Sequence, residues 1–519
     1  MKKSILILGL SLAILSCKKE ASQEDILGYA SSITQDELKE KLYVYASDEY
    51  EGRETGQPGQ KKAVEYIKNH YENLGINSLI DGNYLQNVPL NVVKTPKVSI
   101  TVNGTSFNYF EDFISQTSAA TGTLSAGEVI YAGYGINHDT YNDYKNLDVK
   151  GKIVVVKGGE PKDNAGNYVV SGTKEISKWS NGRQAISSKR TAAKDAGAKA
   201  LFFMDSELFN RYSKFYKERE ERGGSNSLSL PKQTDAGEEI YHFLISENLG
   251  KALVANISDT EETSTVTSKI DIKYESITMP QPSENVAAII KGSEKPEEYV
   301  IISSHLDHIG INSKGEINNG ADDDGSGTVS MLEIAEAFKA AVMNGHGPKR
   351  SIIFLHVTGE EKGLLGSRYY TDYEPLVPLA NTIADLNIDM IGRVDPKRED
   401  KDRNYLYLIG SDKLSTELHN ISEEVNKKYT NIKFDYTYND ENDPNRFYYR
   451  SDHYNFAKNN IPIIFYFNGT HDDYHRPSDT PDKIEYDLLE NRTKLVFHTA
   501  WELANREQAI VADKAEAGK

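Results

Sequence analysis

The chain of 519 residues contains a single cysteine, Cys17, and fewer basic than acidic side chains. No intramolecular disulfide can form, so the fold depends on its packed cores alone. With 60 lysines and arginines against 78 aspartates and glutamates, the formal net charge is −18, which argues against nucleic acid as a partner. Beyond the N-terminus no apolar run approaches a membrane span. The length exceeds the roughly 100–200 residues of one domain, so more than one domain is expected.

The N-terminus combines a basic start with a short apolar core at 5–15, too short to cross a membrane as a mature helix. It ends in Ile14-Leu15-Ser16-Cys17, which resembles a bacterial lipoprotein signal. We therefore predict a signal peptide at 1–16, then a lipidated Cys17 and a polar tether at 17–33. The protein would be exported and anchored to a bacterial membrane through this lipid only.

Three consecutive aspartates stand between glycines in the stretch 319–327, which reads Asn-Gly-Ala-Asp-Asp-Asp-Gly-Ser-Gly. Carboxylates repel one another, and the glycines allow a tight backbone path that aims them at one point. An amphipathic pattern at 328–341 predicts a helix directly behind them. Such a cluster at the start of a helix suits a divalent cation.

Four apolar, strand-like runs each lead into side chains that can bind a metal ion. His305 ends the run 299–305, and Asp307 follows two residues later, where an extended chain would face it the same way. A carboxylate so placed could orient a metal-bound imidazole. The other runs lead to Glu361, to Asp389, and to the loop that holds His471 and His475. In open α/β sheets, ligands bind outside the carboxyl ends of the strands.

These motifs resemble those of the co-catalytic zinc aminopeptidases of the aminopeptidase Y and bacterial leucyl aminopeptidase type. The matching pieces follow the family's order: His305-Leu306-Asp307-His308, 319–327, Gly359-Glu360-Glu361, 387–392, Ser451-Asp452-His453 and 474–480. The resemblance implies an α/β fold with a mixed sheet between helices, of the phosphorylase/hydrolase-like kind. It also implies an enzyme that removes residues from the N-termini of peptides.

The same resemblance implies two zinc ions bridged by Asp323. His305 and Asp389 would complete one site, and Glu361 and His475 the other. Glu360 would act as the general base on water, and Asp307 would support the catalytic site. Zinc accepts imidazole nitrogen and carboxylate oxygen, so this ligand set is chemically consistent. Other histidines near the motifs fall outside the five ligands: His308, His453 and His471. His356, inside an apolar run, is expected to be a packed core residue.

The peptidase domain is expected in two parts, 34–112 and 269–510, with a tail at 511–519. Between them, the segment 113–268 resembles a protease-associated domain inserted into the peptidase. It carries no cluster of ligands or nucleophiles, so we expect a β-rich lid or spacer with no chemistry of its own.

Two other enzyme classes share the metal-site pattern: carboxypeptidases of the glutamate-carboxypeptidase type and single-zinc glutaminyl cyclases. The presence of all five ligand positions argues against the cyclase. The form of the stretch 322–327 looks more like the aminopeptidases than the carboxypeptidases, by analogy alone. A non-catalytic surface binding protein of the same fold is a further alternative, although such a protein has no use for Glu360.

Overall fold

A computed structural model of the protein describes residues 20–116, 119–221, 227–231 and 239–515. The chain divides into two compact units, one formed by 1–89 and 282–519, the other by Leu90–Gln281. Cys17 and the predicted signal peptide at 1–16 lie outside the described residues. None of the described helices is long and apolar enough to cross a membrane.

The first unit is built on a mixed sheet of nine strands. Its middle consists of four parallel strands, in the order Arg350–Val357, Lys295–His305, Thr382–Ile388 and Ile463–Phe467. Three flanking strands run antiparallel to this middle: Ser283–Ile290, Tyr405–Ile409 and Lys433–Asp435. Two others, Asn77–Ser78 and Leu85–Val88, pair antiparallel with Ser283–Ile290 and so run parallel to the middle. Because the four central strands run in parallel, the loops that follow them meet at one edge of the sheet.

Helices cover both faces of this sheet, as the resemblance implied. One face packs against Gln23–Ser31, Gln35–Tyr45, Pro58–Leu74, Gly327–Met343, Thr416–Tyr429 and Tyr486–Asn505. The shorter helices Leu365–Asp372 and His453–Ala457 pack on the other face. Alternate residues of the central strands serve the two faces: Ile302 faces the first layer and Ile301 the second. Both are fully buried, which accounts for the continuous apolar runs in the sequence.

The second unit, Leu90–Gln281, has its own eight-stranded sheet. Its strands, in sheet order, are Thr105–Phe107, Lys97–Val102, Ser264–Glu275, Gly122–Tyr131, Ile153–Lys157, Ala200–Met204, Tyr241–Ile245 and Phe113–Ser115. Two small sheets accompany it: Ser227–Ser229 with Asn91–Val93 and Thr278–Pro280, and Asn137–His138 with Tyr141–Asn142. Its helices are Gly182–Asp195, Ser206–Glu221 and Glu247–Leu253. The resemblance of this unit to a protease-associated domain stays a prediction.

The insert is longer than the predicted segment 113–268 at both ends. The strand Lys97–Val102, assigned from sequence to the peptidase part 34–112, pairs with Ser264–Glu275 inside the second unit. The peptidase domain likewise resumes at 282 instead of 269. Strand pairing between distant segments decides these boundaries, and the local amino-acid composition does not predict which segments pair.

The predicted tether at 17–33 is wrong in its described part, because Gln23–Ser31 is a helix packed on the first unit. The Ser22 side chain accepts a hydrogen bond from the amide of Asp25, and the Asp25 carboxylate accepts one from the amide of Ser22. The Tyr29 ring stacks on Trp501 with ring centroids 5.9 Å apart. The segment is mostly polar and the helix buries only Tyr29 and Ala30, so its composition did not indicate a packed helix.

His242, in the strand Tyr241–Ile245, links the stability of the second unit to pH. Its ring is fully buried, and neither ring nitrogen has a hydrogen-bond partner within 20–116, 119–221, 227–231 and 239–515. Burial, with a smaller effect of Arg190, lowers its pKa from 6.5 to about 3. Between these values the unfolded chain binds a proton that the folded chain does not. The free energy of unfolding therefore falls as pH falls through this window, by up to about 1.4 kcal/mol per pH unit.

We predict that His242→Leu removes this pH dependence, since leucine has no proton to bind. Urea unfolding at several pH values between 6.5 and 4, on parent and variant, measures the two slopes. His138→Leu, at a half-buried histidine of the same unit, controls for the change from imidazole to an apolar side chain. Equal slopes for the parent and His242→Leu would contradict the prediction.

Candidate metal centre

The five predicted ligands come together at the carboxyl edge of the central strands. Oδ1 of Asp323 lies 3.1 Å from Nε2 of His305, and that nitrogen lies 3.6 Å from Oδ1 of Asp389. Oδ2 of Asp323 lies 3.1 Å from Nε2 of His475, which lies 3.1 Å from Oε2 of Glu361. The two oxygens of Asp323 thus face two separate pairs of donors.

These separations fit two bound zinc ions. Two ligands held about 2.0–2.1 Å from one tetrahedral zinc ion lie about 3.3 Å from each other. Nε2 of His305 is buried and has no hydrogen-bond partner among the described residues, as expected of a nitrogen reserved for a metal. His475 is the most exposed of the five, with 37% of its side chain accessible, so the centre opens to solvent on that side.

The aspartates on either side of Asp323 hold the loop in place. Asp324 accepts hydrogen bonds from the backbone amides of His305, Gly327 and Met390, at 3.0–3.2 Å. It also lies close enough to His305 and Asp389 to share a metal ion with them, but these amides already occupy its oxygens. It joins the loop to the N-terminus of the helix Gly327–Met343 through the amide of Gly327. Burial, Asp389 and Asp323 raise its pKa well above the usual value, against an opposing effect of His305.

Asp322 anchors the other side of the loop. Its Oδ1 accepts from the amide of Gly392 at 2.7 Å, and its Oδ2 lies 3.1 Å from Nε2 of His471. Asp479 in turn accepts hydrogen bonds from the amides of Asp322 and Asp323. Sequence reasoning missed Asp479, because its partner is a backbone amide more than 150 residues away in the chain.

The spacing predicted that the carboxylate of Asp307 would hold the imidazole of His305, and this prediction is wrong. Nδ1 of His305 donates instead to the backbone carbonyl of Asp307, at 2.9 Å. A carbonyl only accepts, so the proton sits on Nδ1 and Nε2 is free for a metal ion. The strand ends at His305, and the alternation of extended chain does not continue to Asp307.

The carboxylate of Asp307 lies beneath Glu360, the predicted general base. It accepts a hydrogen bond from Oγ1 of Thr55 at 2.6 Å and another from the amide of Glu360 at 3.2 Å. Asp307 therefore fixes the backbone from which Glu360 projects. Thr55 precedes the helix Pro58–Leu74 and lies 252 residues before Asp307 in the chain.

The adjacent glutamates have opposite electrostatic environments. Burial, Glu361 and Asp389 raise the pKa of Glu360 well above its usual value, against an opposing effect of His305. For Glu361, burial and Asp323 raise the pKa, but contacts with His308 and His475 outweigh them and lower it to about 2. A carboxylate that takes up protons readily suits a base, and one that stays ionised suits a metal ligand.

A small cavity, about 30 Å³ in volume, opens beside Glu360, Asp323 and Asp389. The rest of its wall is largely apolar and aromatic: Met390, Phe447, Phe465, Phe467, Tyr474, Thr470 and Arg450. Sequence reasoning missed this wall. The alternation of Phe465 and Phe467 along a strand places both on one face, but only the fold shows that this face borders the metal centre.

The model of peptidase family M28 matches residues 285–500, a range that contains all five ligands and Glu360. This domain belongs to peptidase family M28. A probable leucine aminopeptidase of Arthroderma otae is 28% identical over 280 residues, covering 52% of this chain and 68% of that protein. The solved aminopeptidase from Aneurinibacillus sp. strain AM-1 is 20% identical, with a TM-score of 0.50, and the match covers 94% of this chain and 98% of that one. This second likeness concerns the fold.

A probable glutamate carboxypeptidase of Arabidopsis thaliana is 32% identical over 120 residues. The match covers 23% of this chain and only 16% of that protein. The M28 domain is thus similar to relatives named for attack at either end of a peptide.

Exchanging each glutamate for glutamine separates their two roles in the M28 domain. Glu360→Gln keeps the shape but cannot take up the proton, so we expect both zinc ions to remain and turnover to fall by about 10²–10⁴-fold. Glu361→Gln removes a charged ligand, so we expect activity and zinc to be lost together, with partial recovery in excess zinc. Zinc content measured beside turnover distinguishes the two. Zinc lost from Glu360→Gln and kept by Glu361→Gln would reverse the assignment.

Proposed function

We propose that this protein is a zinc-dependent aminopeptidase, which hydrolyses the N-terminal peptide bond of peptides. The observation that carries the proposal is the division of Asp323 between two donor pairs, with Glu360 beside it. Membership of the M28 family supports a peptidase, and the leucine aminopeptidase relative supports attack at the N-terminus. A binding protein without activity would not need Glu360 held in place by Asp307.

The chain's own residues divide the work of hydrolysis. Zinc, when bound, polarises the scissile carbonyl and lowers the pKa of water. Glu360 takes the proton from the attacking water and gives it to the leaving amine. Asp307 and Thr55 hold the backbone of Glu360 during both transfers. Nδ1 of His305 stays bonded to its carbonyl, so Nε2 keeps facing the metal site.

The cavity beside Glu360 would receive the side chain of the substrate's first residue. Its aromatic wall excludes water and favours an apolar side chain such as that of leucine. Met390 follows the ligand Asp389 directly and lines this cavity, so the cavity begins at the metal centre.

One observation favours a carboxypeptidase as the second candidate. The guanidinium of Arg450 borders the cavity, 4.8 Å from the centroid of the Phe447 ring, and Nη2 lies 3.4 Å from the hydroxyl of Tyr474. An arginine there could pair with the carboxylate of a C-terminal residue. The glutamate carboxypeptidase relative points the same way.

Blocking each end of a peptide decides between the two candidates. An aminopeptidase needs the free amine, so we expect N-acetylation of a leucyl peptide to abolish hydrolysis and C-terminal amidation to leave it intact. Product release is followed with the purified protein, with and without a chelator. Glu360→Gln protein, prepared in parallel, controls for contaminating peptidases. The opposite pattern would establish the carboxypeptidase.

We also propose that the protein is exported and lipid-anchored through Cys17, on the support of the sequence pattern around that residue. We expect Cys17→Ser to lose incorporation of a labelled fatty acid and to leave the membrane fraction, because serine lacks the thiol that is acylated. Peptide hydrolysis by the extracted protein should be unchanged. Continued labelling and membrane fractionation of the variant would refute the anchor.

A further inference from the structure

His308 is a third histidine at the metal centre, and the five-ligand set does not use it. Its side chain is fully buried. Nδ1 lies 2.7 Å from Oε1 of Glu361 and 3.8 Å from Oδ2 of Asp323. Its ring meets that of His475 edge-on, with centroids 5.7 Å apart. His308 therefore faces the same two carboxylates that His475 contacts from the open side.

The contact between His308 and Glu361 is not a hydrogen bond. Among the residues that the structure describes, neither Nδ1 nor Oε1 has a hydrogen-bond partner, although the two atoms lie 2.7 Å apart. A ring N–H at that distance donates only if it points at the oxygen, and here it does not. Nε2 of His308 is also buried, and it has no partner in the described part of the chain. Buried polar atoms in native proteins nearly always have a hydrogen-bond partner or a bound ion. The close approach of Nδ1 and Oε1 therefore calls for a group that both of these atoms can bind.

The surrounding backbone holds the ring in this position. Gly320 has a left-handed φ of +56°, and a Cβ on it would lie 2.6 Å from Cδ2 of His308. Only glycine allows the loop to pass so close to the ring. The amide of His308 donates to the carbonyl of Arg53 at 3.1 Å, which fixes the chain on its other side. The placement of the imidazole is thus built into two separate segments.

We propose that His308 binds the metal ion of the Asp323, Glu361 and His475 site directly, through Nδ1. That ion would have four protein ligands, two of them imidazoles. The ion at His305 and Asp389 would have three, counting the shared Asp323. Four protein ligands are typical of zinc sites that are closed, and three of sites that keep a position open. The Glu361 site would thus retain its metal, and the His305 site would keep the open position.

The inference rests on the metal centre of the proposed function but not on any substrate. It differs from a role for His308 as a mere partner of Glu361. A partner would orient the carboxylate without adding an imidazole to the metal. Counting imidazoles around zinc therefore separates the two roles, and it does so without an activity assay.

X-ray absorption at the zinc edge, on the full-length protein loaded with two zinc ions, counts the imidazoles. We expect three imidazoles shared by two zinc ions in the parent and two in His308→Gln. Zinc titration of metal-free His308→Gln should show a lower zinc affinity at one of the two sites. Loss of a residue that merely hydrogen-bonds to a ligand lowers metal affinity about 10–100-fold, and we expect a decrease at least this large. His308→Asn serves as a second variant, and circular dichroism checks the fold of each.

Two further variants calibrate the measurement. His475→Gln removes one of the five predicted ligands and should also lower the number of zinc-bound imidazoles by one. His471→Gln removes a buried histidine that contacts Asp322 instead, and should leave the count unchanged. Two imidazoles in the parent would overturn the proposal, as would an unchanged count in His308→Gln, even with weakened zinc binding. Peptide hydrolysis could still fail with three imidazoles present, which would refute the proposed function and leave this inference standing.

Discussion

The structure around the centre is governed by the concentration of negative charge at one edge of the sheet. The carboxylates gathered there are Asp307, Asp322, Asp323, Asp324, Glu360, Glu361, Asp389, Asp452 and Asp479. Like charges in a medium of low dielectric repel strongly unless each finds a compensating partner. The fold supplies imidazoles to some and backbone amides to others. Asp323 faces imidazoles on both sides and is the point where two metal ions would complete the compensation, so metal binding and the order of this edge are coupled.

The partners divide the carboxylates into those that build the site and those that act in it. Asp322, Asp324 and Asp479 accept hydrogen bonds from backbone amides, and these bonds fix the loop to the start of a helix and to neighbouring turns. Oδ2 of Asp389 accepts from the hydroxyl of Ser451 at 2.6 Å, which leaves its other oxygen for the metal side. Burial and the carboxylates Asp307 and Asp389 raise the pKa of Asp452 to about 7, against opposing effects of His305 and Ser367, so it is only partly ionised near neutrality. Each acid thus has a role set by its hydrogen bonds, and identical side chains differ in function.

Much of this organisation is visible in local patterns. The central strands read as continuous apolar runs because both their faces are buried. Side chains that can bind a metal ion follow these runs, so the fold class could be predicted from the sequence, and the family resemblance supplied the five predicted ligands. Prediction failed where a contact joins distant segments. The boundary at 89, the helix at 23–31, the use of Asp307 and the wall of the cavity all depend on such contacts. A pattern of neighbouring residues contains no record of them.

His305 and His308 show where the limit lies. They stand three residues apart in one motif, and the sequence specified the chemistry that both imidazoles offer. Their roles differ because the chain leaves the strand at His305, and Gly320 then confines the ring of His308 against the acidic loop. Residue type and spacing decided which atoms are available for a metal. The tertiary structure decided which of them point at a common position, because direction depends on backbone paths that only packing between remote segments establishes.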